Sequence, residues 1–474
     1  MTTPAPTLLW LRRDLRLDDH PALVAACADG GPVIPVFIHD ETVENLGAAP
    51  RWRLGLAVAD LARQLEDAGS RLILRRGDAL AALRDLVAET GAGTVRWTRA
   101  YDPEAIARDT GVKTALKGQG IAAHSHPGHV LFEPWTVETK TGGMYRVYTP
   151  FWNAVKDRAV PEPQAPPARL PAPGTWPASE QLETWAMDAA MDRGAAVCRP
   201  WQRVGAAAAR DRLAWFTGGP IADYPTQRDL PAADGTSGLS QNLSLGEISV
   251  RRCWHAALRA LHDGHAGAED WLKELAWRDF AYHLIYHTPR LARDNWRGEW
   301  DAFPWSRDGD SAQARAWKQG RTGVPFVDAA MREMYVTGTM HNRARMVVAS
   351  YLTKHLLTHW KIGLDWFADC LTDWDPASNA LGWQWAAGSG PDATPYFRVF
   401  NPDTQLRKFD PDGAYVRRWI AEGQARPART ALGYFEAVPR RWGLSPQAAY
   451  PETPVVGLAE GRRRALDAYE NRTF

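Results

Sequence analysis

In the stretch WLKELAWRDF, Glu274, Trp277 and Arg278 stand at i, i+3 and i+4, with Trp271 one turn earlier. A helix there puts a carboxylate, two indoles and a guanidinium on one side. Such a face can stack on a flat heterocycle and hydrogen-bond its edge; the ordinary alternative is a solvated Glu–Arg pair worth about 0.2–0.5 kcal/mol. In MHNRARMVVAS, Asn342, Arg345 and Met346 share a second helix face, pairing an amide with a soft thioether. In LTDWDPASNALGWQWAAGSG, Asp375-Pro376 reads as an N-cap followed by proline in the first turn. Asp373 lies just before it, and Asn379 and Trp383 follow one turn apart. Trp383 and Trp385 are two residues apart, so in a helix they diverge by about 200°, one inward and one outward. Thr236, Ser237, Gly238, Leu239 and Ser240 form a small hydroxyl-rich loop whose free N–H groups suit a phosphate, although no Walker GK[ST] follows. His124, His126 and His129 are spaced HxHxxH in what reads as a Gly/Pro-containing loop without a fourth ligand, so no metal site is expected. There is no Gly-x-Ser-x-Gly elbow and no HExxH.

These residues need elements to hold them. Thr7–Leu11, Val33–His39, Leu72–Arg75 and Thr94–Thr98 read as strands, with helical periodicity over Trp52–Ala68 and Ala79–Thr90 between them. This alternation predicts a parallel sheet with helices on its faces, Rossmann-like but without GxGxxG, because the first strand runs into Arg12, Arg13 and Asp14. Residues 161–177 carry seven prolines and read as a stiff connector. Beyond about residue 200 the pattern is helical, with apolar spacing over Trp271–Ile285, Val324–Tyr335, Arg343–Leu357 and Asp365–Leu371. The 474 residues carry 56 Lys+Arg against 55 Asp+Glu, which excludes a broadly basic coat and leaves only local basic surfaces for nucleic acid. Four scattered cysteines exclude a disulfide framework and fit a reduced, cytoplasmic setting. No membrane span or signal-peptide core is expected. Trp is over-represented, at 23 residues against 13 Tyr and 13 Phe, and twelve of the 23 fall between Trp254 and Trp385.

Taken together, WLRRDLRLDDHPAL, GTSGLS, WLKELAWRDF, GVPFVDAAMREM, MHNRARM, DWDPASNALGWQWAAGSGPDATPYFRVFNP and KFDPDGAYVRRW resemble, in order, the DNA photolyase/cryptochrome family over nearly the whole chain. The nearest kind is a class I-like bacterial photolyase for cyclobutane pyrimidine dimers. The resemblance implies an α/β N-terminal domain over 5–133, an inter-domain connector over 134–205, and a C-terminal all-helical FAD-binding and DNA-binding domain over 206–474. It implies that Tyr224, Thr236, Ser237, Gly238, Leu239, Ser240, Trp271, Arg278, Arg345, Asp373, Asp375 and Asn379 hold FAD, with Asn379 facing flavin N5. Glu274, Trp277, Asn342, Met346 and Trp385 match the lesion pocket. Arg228, Arg343 and Arg398 match positions near DNA phosphate. Trp383, Trp360 and Trp317 match a chain that carries electrons from the surface to the flavin. Light-driven dimer repair is the implied activity, with Glu274, Asn342 and Asn379 as its central residues. A blue-light photoreceptor is the first alternative, although those receptors usually replace Asn379. A (6-4) photolyase is the second, although those enzymes carry His where Asn342 and Met346 stand. A flavin-free DNA-binding module is a third reading, from another class. Two departures stand out in the phosphate loop, Gly238 where relatives have Arg and Gln241 where Pro is common. Ala105 and Arg293 stand where folate-binding relatives have Glu and Lys, so a folate, a deazaflavin, another flavin or an empty antenna site all fit. UV-damaged DNA is the implied partner and a monomer the implied state.

Overall fold

A computed structural model describes residues 4–392 and 397–474. Five strands, β1 (Thr7–Leu11), β2 (Val33–His39), β3 (Ile73–Arg76), β4 (Thr94–Thr98) and β5 (Ala122–His126), make one parallel sheet in the order β3-β2-β1-β4-β5. β1 and β2 are buried along their whole length. Helices on both faces demand this, which is why TLLWL and VIPVFIH are nearly continuous apolar runs. Alternation along β1 feeds two separate cores: Leu9 and Leu11 pack with Phe37, Leu54 and Leu61, and Leu8 and Trp10 with Ile34, Val95 and Trp97. The order reverses between β1 and β4, so a crevice opens at their carboxyl ends.

The histidine segment expected to be a loop is an edge strand. His124 pairs in register with Arg96 and His126 with Thr98. AAHSH gives no apolar run because only one of its five residues is buried. The proline-rich segment is not a free spacer either. Pro171 O accepts from Val33 N at 2.7 Å, Gln164 O accepts from Asp19 N at 2.8 Å, and Leu170 is buried in the sheet's core. Proline at these sites forms no ladder of its own, yet its carbonyls still accept.

The remainder is helical. The helices Gly267–His287, Pro325–Thr337, Asn342–Ser350, Trp360–Cys370 and Pro376–Ala387 correspond to the periodic stretches of the sequence. The helix expected over Arg343–Leu357 stops at Ser350 and continues as a fully buried π-turn, Tyr351–His355. A short helix, Ser240–Leu245, follows directly on the hydroxyl-rich loop, ahead of Val250–His262.

The two halves are tied by buried polar groups. Arg53 on the helix Ala48–Asp67 pairs with Glu247 at 2.6 Å, both fully buried. Gly246 has a φ of +68°, and a Cβ there would fall 2.2 Å from Arg13 O, so the chains meet at backbone distance. Asp279 accepts from Leu131 N at 2.7 Å and Phe132 N at 2.9 Å. Burial raises the Asp279 carboxyl to about 7, against the pull of Arg278 and the two amides. The folded chain therefore keeps a proton that the unfolded chain has lost. This contribution is complete below about pH 4 and vanishes as the pH rises through about 7. Urea midpoints of the wild type are expected to fall relative to Asp279→Asn between about pH 5 and pH 8; parallel pH profiles would contradict this.

Candidate functional site

Asp375 is the meeting point. Its Oδ1 accepts from Ser378 N at 2.9 Å, making it the N-cap of Pro376–Ala387, as its sequence suggests. Its Oδ2 accepts from Arg13 at 3.1 Å, on the exit of β1, and from the Tyr282 hydroxyl. Burial pushes this carboxyl up, but Arg13 and Arg278 outweigh burial and hold it below its ordinary value. Asp373, 6% exposed, accepts from Arg345 Nη2 at 2.7 Å through Oδ2, while its Oδ1 is buried without a partner among the described residues. Asn379 donates to Leu364 O at 3.1 Å and is half-buried, leaving its carbonyl oxygen open.

Glu274 and Arg278 do not form the i,i+4 pair. Glu274 Oε1 accepts from Arg228 at 2.6 Å, and no hydrogen bond engages Oε2 among the described residues. Arg278 instead turns to His129, donating to its carbonyl at 2.7 Å. His129 is thereby engaged inside the interface; burial, then Arg278, depress its pKa. Trp277 is half-buried and stacks on Tyr148 at 3.8 Å and 9°, so one of its faces is filled while the ring keeps part of its surface exposed. Tyr148 went unnoticed in the sequence because nothing in YTPFW distinguishes it from connector. Asn342 is exposed and Met346 half-buried. Trp383 points inward at 2% exposure and Trp385 is half-buried, the divergence expected of their spacing.

Arg228 and Arg343 are both engaged, Arg228 with Glu274 and Arg343 with Asp229 at 2.7 Å. Arg398 is exposed beside Phe400. Residues 393–396, the ATPY part of the last long motif, lie outside the described residues.

Tyr224 is buried, edge-on to Phe216 at 5.6 Å, and Trp271 meets the same ring at 4.9 Å. In the loop, Leu239 is buried, Thr236, Ser237 and Gly238 are half-buried, and Ser240 is exposed. The orphaned Asp373 Oδ1, the open Asn379 oxygen and the loop amides are donors and acceptors that suit a flavin with its diphosphate.

The three indoles of the expected electron chain are exposed by 0% (Trp317), 0% (Trp360) and 2% (Trp383). Trp317 lies against Trp383, ring centroids 6.0 Å apart, and so is an inner neighbour and not a surface terminus. Trp360 donates to Asn295 at 2.8 Å and touches His359, which in turn touches Trp305. The expected surface end of the chain is therefore not among these three: Trp317 and Trp383 share one aromatic group with Phe367, Trp360 belongs to another with His359 and Trp305, and all three indoles are buried.

A crevice of about 520 Å³ opens at the carboxyl ends of β1, β2 and β4. It is lined from one side by Arg13, Asp40 and Tyr101 and from the other by Tyr282, Trp374 and Asn379. Ala105 and Arg293 both border it. Its position at the strand-order reversal is where open α/β sheets place ligands.

Residues 7–171 match the family model described as DNA photolyase, and residues 271–471 match the FAD binding domain of DNA photolyase. The deoxyribodipyrimidine photo-lyase of Agrobacterium fabrum is 46% identical over 98% of both chains. The chain belongs to the DNA photolyase family. It binds FAD through the helical domain of that family. The crystal structure of a bacterial class III photolyase from Agrobacterium tumefaciens covers 99% of this chain and 98% of its own, at 45% identity and a TM-score of 0.91. An archaeal photolyase from Sulfolobus tokodaii with two FAD molecules covers 98% of this chain and all of its own, at 27% identity and a TM-score of 0.80. The class I-like expectation is thus too narrow; a bacterial photolyase of this family is what the likeness supports.

Gly363 explains how Trp383 is seated. A Cβ on Gly363 would fall 2.0 Å from Trp383 Cη2, so only glycine leaves room for the indole. Gly363→Ala is expected to cost about 1–3 kcal/mol by overpacking, seen as a lower melting temperature, and to change the rate of flavin photoreduction. An unaltered melt and rate would contradict the contact.

Proposed function

We propose that this protein is a light-driven deoxyribodipyrimidine photo-lyase that splits cyclobutane pyrimidine dimers in UV-damaged DNA, acting as a cytoplasmic monomer. One observation carries the reading: each of three helices bears residues of both kinds. Gly267–His287 has Trp271 and Arg278 for the flavin and Glu274 and Trp277 for the lesion. Asn342–Ser350 has Arg345 beside Asn342 and Met346, and Pro376–Ala387 has Asn379 beside Trp385. The Pro376–Ala387 helix packs on the other two. A ligand bound on the open side is therefore held against the cofactor by the same rods that hold the cofactor.

In this reading Tyr224, the loop Thr236–Ser240, Arg345, Asp373, Asp375 and Asn379 hold FAD. Reduced FAD held by these residues would supply light-driven one-electron chemistry in which the electron is returned once the ring has split, so the reaction would be a lyase reaction with no net oxidation. The dimer enters flipped from the duplex, at an unstacking cost of a few kcal/mol that damage lowers. The exposed part of Trp277 and the edge of Trp385 clamp its apolar parts, while Glu274 Oε2 and Asn342 receive and donate hydrogen bonds at the base edges. Arg228, Arg343 and Arg398 lie toward the phosphates, the first two sharing their charge with Glu274 and Asp229. Asn342 and Met346 take the places where a (6-4) enzyme has histidines, which favours the cyclobutane lesion. Trp383 and its neighbour Trp317, together with Trp360, offer oxidisable indoles to the flavin side. The crevice bordered by Ala105 and Arg293 is read as the seat of a second, light-harvesting chromophore.

The decisive experiment is an absorption spectrum of the purified protein before and after blue light, followed by repair of a dimer-containing oligonucleotide. Flavin bands with repair are expected; flavin bands without repair would point to a photoreceptor, and no flavin to a DNA-binding module. Glu274→Ala is expected to weaken binding of the dimer about ten-fold or more, the size of a lost charged hydrogen bond, with flavin content unchanged. A loss of flavin instead would make Glu274 structural. Trp383→Phe is expected to slow photoreduction of oxidised flavin severely while pre-reduced enzyme still repairs; normal photoreduction would remove Trp383 from the path.

A further inference from the structure

Two arginines outside the family-matching motifs crowd the hydroxyl-rich loop. Arg212, on the helix Gly205–Thr217, donates through Nε to Ser237 O at 2.7 Å, through Nη2 to Thr236 O at 2.8 Å and through Nη1 to Asp234 at 2.9 Å. In a trans peptide the carbonyl and the following N–H point in opposite directions. Arg212 therefore turns the amides of Ser237 and Gly238 away from itself, and neither amide has a backbone partner among the described residues. Successive free amides of this kind form an anion-binding concavity.

Gly238 has a φ of +60° and no side chain to offer that anion. The place its Cβ would take is 3.2 Å from Arg203 Nη1 and 3.4 Å from Arg212 Nε and Nη2. Arg203 is half-buried, and Asp234, the carboxylate that acts on it, is already bound by Arg212. Its backbone is pinned there: Arg203 O accepts from Arg53 Nη2 at 3.0 Å and from Asn242 Nδ2 at 2.7 Å, and both donors also hold the buried Glu247 carboxylate. Gln241, the second departure in this loop, completes the arrangement by accepting from Arg53 Nε at 3.1 Å. Two guanidiniums thus converge on one position of the loop, and the one carboxylate beside them is paired with Arg212, which leaves an excess of positive charge beside the amide-lined loop.

We propose that Arg203 and Arg212 form a two-arginine cradle for the diphosphate of FAD, with Arg212 as the positioning residue that orients the loop amides and Arg203 as the charge that takes over from the side chain missing at Gly238. The inference rests on the flavin reading above. It is tested by titrating the full-length chain, stripped of flavin, with FAD and with riboflavin, which has the same ring system and no phosphate.

Arg203→Gln is expected to raise the FAD Kd about ten-fold and to flatten its salt dependence, with the riboflavin Kd unchanged. Arg203→Lys keeps most of the FAD affinity. Arg212→Lys keeps the charge but cannot hold both carbonyls, and shows the same split between the two flavins. Equal losses for both flavins, or unchanged FAD affinity, would overturn the assignment. So would weaker binding of dimer-containing DNA by the flavin-loaded Arg203→Gln protein with FAD affinity intact, which would give Arg203 to a DNA phosphate. Should Arg203→Gln not fold, the wild type decides: a FAD Kd that does not respond to salt overturns the cradle. A wild type that binds neither flavin would overturn the flavin reading itself.

Discussion

The Asp375 carboxylate is the constraint on which the rest of the arrangement depends. One of its oxygens starts the helix that carries Asn379, Trp383 and Trp385, and the other is held by Arg13 from the first strand of the sheet and by Tyr282 from the helix that carries Glu274 and Trp277. Three segments far apart in the chain are thereby brought to one atom group. Because the group is buried, the geometry is costly to disturb: a carboxylate left without its cation in such a place is destabilising by several kcal/mol. The orientation of the site's helix is thus set jointly by both halves of the protein.

β1 and β2 were legible because burial on both faces forces continuous apolar runs, and β3 and β4 through shorter β-prone stretches. β5 was not, since an edge strand with one buried residue has no such pattern. The helices of the second half were legible from their spacing, whereas the π-turn at Tyr351–His355 was not, because an inserted residue leaves apolar periodicity almost unchanged. Among site residues, the inward Trp383 and outward Trp385 followed from a separation of two in a helix, and the capping role of Asp375 from the proline after it.

Partnership was much less legible than position. Glu274 and Arg278 have ideal spacing for each other, yet each is claimed by a residue far away, Arg228 and His129. Arg212, Arg203 and Tyr148 carry no local pattern, and their importance arises only when the fold brings a loop carbonyl or an indole to them. The surplus of tryptophan divides in the same way. Residues such as Trp10 and Trp97 pack within the sheet, while Trp317 and Trp383 share one aromatic core. Composition indicated where aromatic density lies and could not say which rings touch.

The stack of Tyr148 under Trp277 has a consequence for how tightly any planar guest can be held. A large side chain that is free to swing loses rotamer freedom when a ligand arrives, and that loss is subtracted from affinity. Here the indole is already immobilised by a tyrosine whose own hydroxyl is anchored on Lys273 O at 2.6 Å. The ordering has taken place during folding, so the exposed part of the ring behaves as a rigid shelf that a guest meets ready-made.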